Sequence, residues 1–432
     1  MIRAERQDIT GPALASVDRE GGPDDVHFRR AGEGSGTADA SRAPALEGVS
    51  PAEIETATAL LLKILARVLR AKNVAAEDNY LQLCHDLRRT IIVIREVKKA
   101  TALELPLSLF MEAKDIRAIA MAMATRHWPQ STGLVLLKAA VPGTSLPPLF
   151  AFPGLGGALM ELVDVVRAMD YAGSIYGLPY RGLDGYQAPA DSVYPLVEDS
   201  LARMRAVQAT GPYHMLAYSA GAYVAIEAAR RLSNEGESLG FLGVIEPGVH
   251  ERFWPMPVWI RFLAALVKMR HKQARQAEQK DAAAQPAANG VSTLPRLWRK
   301  IAGLPVFAMQ KGKRLLVRIE HRYADPTRPG YVNNSLYYVG NLPELIQAVR
   351  DASIVCLASY RFRRYTGAVT YFRSEAGDPL MCRPEVVWPR YFPKLRFVVT
   401  PGDHASMIMP PNAAALAAIV CSHLPQAVEA GR

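Results

Sequence analysis

The sequence predicts an α/β protein in which a small all-α helical bundle precedes a parallel sheet covered by helices. After residue 147, short apolar runs of strand length alternate with stretches of helical periodicity, which is typical of a parallel sheet with helices on both faces. Before that point the periodicity is helical only. Half of the 432 residues are hydrophobic and 21% are charged, a composition that excludes a wholly disordered or fibrous protein.

The amino-terminal part divides into three segments. Residues 1–48 are rich in Gly, Ala, Ser, Asp and Arg without an apolar face, so we expect a disordered tail. Helical spacing begins after Ser50, a predicted N-cap with Glu53 three residues later, and recurs at about 87–100 and 115–125. We therefore predict a helical bundle over 49–128 and a linker over 129–146.

The remaining residues, 147–432, are predicted to form one large α/β domain. Its expected strands are PLFAF near 148, SIYGL near 174, YHMLAY near 213, FLGVI near 241, AVTYF near 368 and RFVVT near 396. The alternation stops between about 250 and 345, where amphipathic basic stretches flank a segment rich in Ala and Gln. An insertion of this kind between two strands indicates a long helical lid.

A serine on a sharp turn is the first candidate catalytic residue. The string A-Y-S-A-G places Ser219 between an apolar strand and a helix, with the small residues Ala217 and Gly221 two positions away on either side. A nucleophile elbow requires such small flanking residues. His404, in a glycine-containing turn after the last strand, is the best-placed imidazole to accept the serine proton.

Two carboxylates compete for the role of orienting that imidazole. Glu246 ends the strand FLGVI, and Asp378 follows the strand AVTYF. We favour Glu246 and keep Asp378 as the alternative acid. An oxyanion hole needs two backbone amides, and the candidates are Ala220, directly after the serine, and Leu155 in the glycine-rich loop FPGLGG.

The α/β part resembles the thioesterase domains of nonribosomal peptide synthetases and polyketide synthases. The resemblance rests on LFAFPGLGG, SIYGLPYRGLDG, TGPYHMLAYSAGAYVAIEAARRL, the segment from LPELIQAV to VTYFRSE, and TPGDHASMI, in family order. It implies an α/β-hydrolase fold, an acyl-enzyme on Ser219, His404 as general base, and an acid at Glu246, where the family usually has aspartate. The insertion corresponds to the family's variable lid.

The helical bundle resembles an acyl or peptidyl carrier domain. The string D-N-Y-L-Q-L-C-H-D-L-R at 78–88 is similar to the carrier pattern D-N-F-F-E-L-G-G-D-S-L. Leu87 occupies the position of the serine that carries phosphopantetheine, and leucine has no hydroxyl to modify. The resemblance therefore implies a degenerate carrier, and phosphopantetheine is expected only on a partner carrier or as coenzyme A.

The net charge of +10 is unevenly distributed. Residues 1–50 contain six basic and nine acidic side chains, whereas residues 251–330 contain sixteen basic and five acidic ones. A basic lid could attract an acidic carrier protein, or it could be a solvated helical face. Contact with a membrane surface through Trp254, Trp259 and Phe262 is a weaker alternative, and nucleic acid is disfavoured because no recognition motif accompanies the charge.

The function predicted from these observations is that of a serine thioesterase that releases a carrier-bound peptidyl, aminoacyl or polyketide chain. Acyl transfer to an amine or alcohol, and docking to synthetase modules through the degenerate carrier, remain as alternatives. No metal is expected. The four cysteines lack C-x-x-C spacing and the amino terminus lacks a signal-peptide pattern, so we expect a cytoplasmic protein with reduced thiols.

Overall fold

The computed structural model describes residues 49–265, 319, 322–335, 338–377 and 382–425. All of them belong to one compact unit. The predicted tail lies outside the described residues, as do Asp378 and residues 266–318, which make up most of the predicted lid.

The helical bundle begins at the predicted N-cap. The Ser50 hydroxyl accepts from the Glu53 amide at 3.3 Å, and the Glu53 carboxylate accepts from the Ser50 amide at 2.7 Å, which is the reciprocal pairing of a capping box. The bundle helices are α1 (Pro51–Leu69), α2 (Tyr80–Leu83), α3 (Leu87–Thr101), α4 (Leu107–Glu112) and α5 (Ile116–Thr125). Helices α3 and α5 match the second and third periodic runs of the sequence.

The sheet of the α/β part has seven strands. They are β1 (Val135–Lys138), β2 (Leu149–Phe152), β3 (Ile175–Gly177), β4 (Tyr213–Tyr218), β5 (Leu239–Ile245), β6 (Ala368–Ser374) and β7 (Lys394–Thr400). Their order is β1-β3-β2-β4-β5-β6-β7, and all neighbours are parallel except β1 and β3. All six predicted strands are present, and the sheet confirms the predicted α/β class.

Strand β1 was not predicted from the sequence. It lies within the segment 129–146 and runs antiparallel to β3, with Val135 opposite Gly177. Only Val135 of its four residues is buried, and the Leu136 side chain is 53% exposed. The apolar run from Leu134 to Leu137 is a strand signal that sequence reasoning could have used and did not.

Helices cover both faces of this sheet. They are α6 (Val163–Ala168), α7 (Val193–Val207), α8 (Gly221–Asn234), α9 (Glu344–Ser359), α10 (Pro384–Val387) and α11 (Asn412–Cys421). The apolar residues of β4 alternate between two buried clusters, one on each face. The fold is therefore that of an α/β-hydrolase.

The described start of the insertion contradicts the membrane alternative. Trp254, Trp259 and Phe262 pack against one another and are 2%, 3% and 6% exposed. The Arg322 guanidinium lies 4.9 Å from the Trp259 ring centroid. Because this stripe is buried within the protein, it is not available for a membrane surface.

The bundle and the α/β part share one hydrophobic core, which includes Leu65 of α1, Phe110 of α4 and Phe150 of β2. Polar contacts join the same two parts. The Trp128 indole donates to the Asp184 carbonyl at 3.0 Å. The bundle is therefore packed onto the α/β part and is not tethered by the 129–146 segment alone.

Candidate active site

Ser219 lies on a sharp turn between β4 and α8. Its φ of 49° is in the left-handed region, which non-glycine residues rarely adopt. The Ser219 amide donates to the Ile245 carbonyl of the neighbouring strand at 2.9 Å. The turn therefore projects the serine from the carboxyl end of the sheet, as the nucleophile-elbow prediction requires.

Gly221 is required by the packing of this turn. A Cβ atom at position 221 would lie 2.3 Å from the Pro153 carbonyl oxygen and 2.7 Å from that of Phe152. The flanking Ala217 is fully buried in the sheet, in register with Phe152 on one side and Val244 on the other. The site thus has space for a methyl group at 217 but not at 221.

His404 lies beside the serine. It follows β7, and its Nε2 atom is 3.1 Å from the Ser219 Oγ atom, which is hydrogen-bond distance. The Tyr218 hydroxyl donates to the His404 carbonyl at 2.9 Å, and the two rings stack with centroids 5.3 Å apart. The structure therefore brings together the serine and histidine singled out in the sequence and adds Tyr218 as a support for the imidazole.

Asp403 orders the turn that carries this histidine. Its Oδ1 atom accepts from the Ala405 amide at 3.0 Å, the Ser406 amide at 2.8 Å and the Ser406 hydroxyl at 2.9 Å. These hydrogen bonds from Ser406 hold the pKa of the Asp403 carboxyl below its usual range. The Asp-x-x-Ser spacing is a turn signal that sequence reasoning could have used and did not.

Glu246 occupies the first position after β5. Its φ of 43° is left-handed, its amide donates to the Phe372 carbonyl at 2.8 Å, and its side chain is buried. The carboxylate accepts a hydrogen bond from the Ser374 amide. Glu246 and His404 line the same cavity, of about 260 Å³, so this acid candidate faces the imidazole side of the site. The alternative, Asp378, lies outside the described residues.

The two predicted oxyanion donors are the backbone amides of Leu155 and Ala220. Within the described ranges, neither the Leu155 nor the Ala220 amide donates a hydrogen bond to the protein. After Leu155 the chain turns through Gly156 and Gly157, with φ of 94° and 74°. A Cβ atom at 157 would lie 2.5 Å from the Tyr180 ring, so the loop requires glycine there.

Glu161 lies under the same loop and was not predicted from the sequence. Its Oε2 atom has no hydrogen-bond partner among the described residues. The same atom is close to Gly154, since a Cβ atom added to that glycine would lie 2.7 Å from it. Burial raises the pKa of Glu161 to about 7, although the Arg350 charge and the Gly154 amide act in the opposite direction. Its proximity to the loop comes from tertiary packing, for which the sequence carries no local signal.

Leu87 begins α3, directly after its N-cap Asp86, whose carboxylate accepts from the Arg88 amide at 2.9 Å. In the carrier pattern this is the position of the modified serine. Leu87 is partly buried and lines a cavity between the bundle and the α/β part. Leu87 thus faces the α/β part of the molecule.

The fold, the serine on its elbow and the histidine after the last strand define the class of an α/β-hydrolase with a serine–histidine pair. Residues 147–302 match the family model described as thioesterase domain. The chain is also similar to parts of two larger synthases. It is 26% identical over 182 residues to indigoidine synthase of Streptomyces lavendulae. It is 26% identical over 187 residues to a dimodular nonribosomal peptide synthase of Bacillus subtilis.

These alignments cover 42% and 43% of this chain but only 14% and 8% of the two synthases. Among solved structures, the type II thioesterase BorB of the borrelidin cluster aligns with a TM-score of 0.42 at 15% identity, covering 69% of this chain and 98% of BorB. A four-domain nonribosomal peptide synthetase aligns with a TM-score of 0.47 at 16% identity, covering 90% of this chain and 28% of that one. The match to the thioesterase model is thus confined to residues 147–302, and the chain spans only a small part of the two synthases.

Proposed function

We propose that the protein is a serine thioesterase that releases a peptidyl, aminoacyl or polyketide chain from a carrier in nonribosomal peptide or polyketide biosynthesis. The observation that carries this proposal is the 3.1 Å contact between Ser219 Oγ and His404 Nε2 on a strand–turn–helix elbow. The thioesterase family match and the relation to synthetases supply the substrate class.

The proposed reaction proceeds through an acyl-enzyme. His404 accepts the Ser219 proton as the hydroxyl attacks the thioester carbonyl, and then delivers a proton to the departing thiolate. Glu246 orients the imidazole and stabilises its charged form. The Leu155 and Ala220 amides donate to the oxyanion. Water, or an amine or hydroxyl group of the acyl chain itself, then attacks the carbonyl of the acyl-enzyme ester. This step frees Ser219 and releases the chain as an acid or as a ring.

The proposed partner is an acyl or peptidyl carrier protein acting in trans. Leu87 lacks a hydroxyl, so the phosphopantetheine arm must belong to another protein or to coenzyme A.

We place this reaction in the cytoplasm. The cysteines Cys84, Cys356, Cys382 and Cys421 are unpaired, and no helix within the described ranges has the length and apolar character needed to cross a membrane.

The test is hydrolysis of an acylated carrier by the purified protein and by Ser219→Ala. We expect release of the acyl chain by the wild type, and a loss of about a thousandfold or more in the variant because the nucleophile is removed. Circular dichroism checks that the variant is folded. Full turnover by a folded Ser219→Ala would contradict the proposal.

A further inference from the structure

Glu161 lies beneath the loop that supplies one of the two predicted oxyanion donors. It belongs to a short 3-10 helix, Leu159–Leu162, which begins shortly after that loop. A Cβ atom added to Gly154 would lie 2.7 Å from the Glu161 Oε2 atom and 3.0 Å from the Tyr218 ring. The φ of Gly154 is not left-handed. This residue is therefore glycine because the carboxyl and the ring leave no room for a side chain.

The peptide bond between Gly154 and Leu155 carries the predicted donor itself. Its carbonyl, that of Gly154, accepts from the Gly157 amide at 3.1 Å. Because the carbonyl and the amide of a trans peptide point in opposite directions, this hydrogen bond turns the Leu155 amide away from the interior of the turn. On the other side of Gly154, its own amide interacts with the Glu161 carboxylate and lowers the pKa of that group. The two contacts restrain Gly154 from both sides.

Three charged or titratable side chains face the Glu161 carboxyl from other parts of the fold. Arg350 in α9 is the cation, and its charge favours the ionised carboxylate. Burial raises the pKa of the Tyr180 and Tyr218 hydroxyls, and the Glu161 charge adds to this effect. The Tyr180 hydroxyl also donates to the Pro153 carbonyl at 3.4 Å, at the start of the loop. The carboxyl is therefore enclosed by groups that pack around the same loop.

A carboxyl group is costly at this position. Burial raises the pKa of Glu161 to about 7, and its Oε2 atom is buried without a hydrogen-bond partner among the described residues. An apolar side chain of similar size would avoid the desolvation of a charged group, and such perturbed groups cluster at functional sites. Hydrogen bonds in an unliganded active site are often long and shorten only in the transition state. The carboxyl is thus suited to a hydrogen bond with the Gly154 amide that shortens during the reaction.

We propose that Glu161 is a positioning residue for the oxyanion hole, whose carboxyl holds the Gly154 amide and, through it, the Leu155 amide in the orientation that binds the oxyanion. The inference rests on the proposed function and adds a residue to it. Glycine has more backbone freedom than any other residue. Without the carboxyl, Gly154 therefore samples orientations in which the Leu155 amide no longer points at the oxyanion.

The first experiment compares Glu161→Gln with Glu161→Leu in the steady-state hydrolysis of one thioester. Both variants remove the charge that attracts Arg350 and nearly keep the size of the side chain, but only Glu161→Gln keeps an oxygen that can accept from the Gly154 amide. We expect kcat to fall about a hundredfold in Glu161→Leu, because displacing an oxyanion donor costs that much. It should fall by less than about fivefold in Glu161→Gln, and KM should stay within about threefold in both.

Glu161→Asp separates the position of the oxygen from its charge. This variant keeps the charge but withdraws the acceptor by one methylene group, so we expect kcat to fall about tenfold, more than in Glu161→Gln. The control is Glu227→Gln. Glu227 is also fully buried, but it lies in the second turn of α8 and contacts Arg230 at 2.6 Å and the Tyr360 hydroxyl at 2.8 Å. Its kcat should stay within about twofold of the wild type. Circular dichroism checks that each variant is folded.

The second experiment measures how fast an alkyl fluorophosphonate labels Ser219. The Ser219 Oγ atom forms a bond to phosphorus as fluoride leaves, the serine proton passes to His404, and the phosphoryl oxygen occupies the oxyanion hole. The rate therefore reports on the hole without any acyl chain or thiol. Intact-mass measurements over time give the rate constants. We expect them to fall in the same order as kcat, with Glu161→Leu slowest, then Glu161→Asp, then Glu161→Gln.

The outcomes separate this inference from the proposed function. Equal losses in Glu161→Gln and Glu161→Leu, or labelling rates that stay at the wild-type value, would overturn the positioning role. If Glu161→Leu does not fold, a larger loss in Glu161→Asp than in Glu161→Gln supports the inference, and the reverse order overturns it. If the wild type is labelled at Ser219 but hydrolyses no thioester, including an acylated carrier, the proposed function fails while the labelling rates still test Glu161.

Discussion

At the scale of single residues, Ser219 and His404 were predictable because each lies in a short motif next to a strand. Glu246 was predictable as a residue following a strand, but its left-handed φ of 43° and its hydrogen bond from the Ser374 amide were not. Both features depend on the neighbouring strand β6, which is more than a hundred residues later in the chain.

The identity of the acid is tested by a matched pair of substitutions. We expect Glu246→Gln to lower kcat by roughly a thousandfold, because a neutral amide neither holds the imidazole tautomer nor stabilises the imidazolium. Asp378→Asn should change kcat by less than about threefold. Steady-state hydrolysis of one thioester measures both, and the reverse ranking would assign the role to Asp378.

The raised pKa of the buried Glu161 carboxyl predicts that the stability of the protein depends on pH. Its pKa is raised to about 7 in the folded protein, against an ordinary value of 4.5. The folded state therefore binds the proton more tightly than the unfolded state, and wild-type stability falls as pH rises through this window. The Glu161→Gln variant lacks this carboxyl group, so its side chain at position 161 does not titrate in this window. Relative to that variant, the wild type should lose about 2 to 3 kcal/mol of unfolding free energy between pH 5 and pH 8.

Urea unfolding of the two proteins at pH 5 and pH 8 measures this difference. The Arg350 guanidinium stays charged at both pH values, so the two proteins differ in this comparison only by the titration of the Glu161 carboxyl. Parallel pH dependences for the wild type and Glu161→Gln would show that the carboxyl is not perturbed.

At the scale of elements, the strands of the parallel sheet were predictable because buried strands read as continuous apolar runs. Strand β1 was missed although Leu134 to Leu137 form a continuous apolar run, because so short a run does not by itself distinguish an edge strand from a linker. The lid remains a prediction, since residues 266–318 lie outside the described part of the chain.

The close packing around Gly221 in the strand–turn–helix elbow predicts the effect of replacing this glycine with alanine. Gly221→Ala places a Cβ atom 2.3 Å from the Pro153 carbonyl oxygen, so the turn and the loop that begins at Pro153 must move apart. We expect a loss of about 1 to 3 kcal/mol of unfolding free energy together with a large loss of kcat. Thermal unfolding and a hydrolysis assay measure these effects.

Ala217→Gly is the matched control on the other side of the serine. It restores the more usual glycine and introduces no clash. We expect it to cost about 1 kcal/mol in stability through backbone entropy and to keep most of the activity. Equal activities for Gly221→Ala and Ala217→Gly would contradict this account of the elbow.

At the scale of the whole molecule, the helical bundle was predictable from helical periodicity, but its packing against the α/β part was not. The shared core and the contacts of His85 with Asp164 and Arg167 arise between segments distant in sequence. Single-sequence patterns report which face of a helix is apolar and not which partner covers it.

The shared core predicts that the two parts unfold together. Leu65 is fully buried in α1, and Leu65→Ala should lower the unfolding free energy by about 2 to 5 kcal/mol. Hydrolase activity should then be lost at the same, lower urea concentration as the helical signal, although α1 contributes no catalytic residue. Two separate transitions, with activity surviving the first, would show that the bundle is independent.

The central claim is that Ser219 becomes acylated by a thioester. The direct measurement is the intact mass of the protein, followed by peptide mapping, after rapid mixing with an acylated carrier or coenzyme A thioester and an acid quench. We predict a mass increase equal to the acyl group on the peptide that contains Ser219, and no such adduct in Ser219→Ala. Hydrolysis of the thioester with no acyl group on Ser219, or with the adduct on another residue, would contradict the claim.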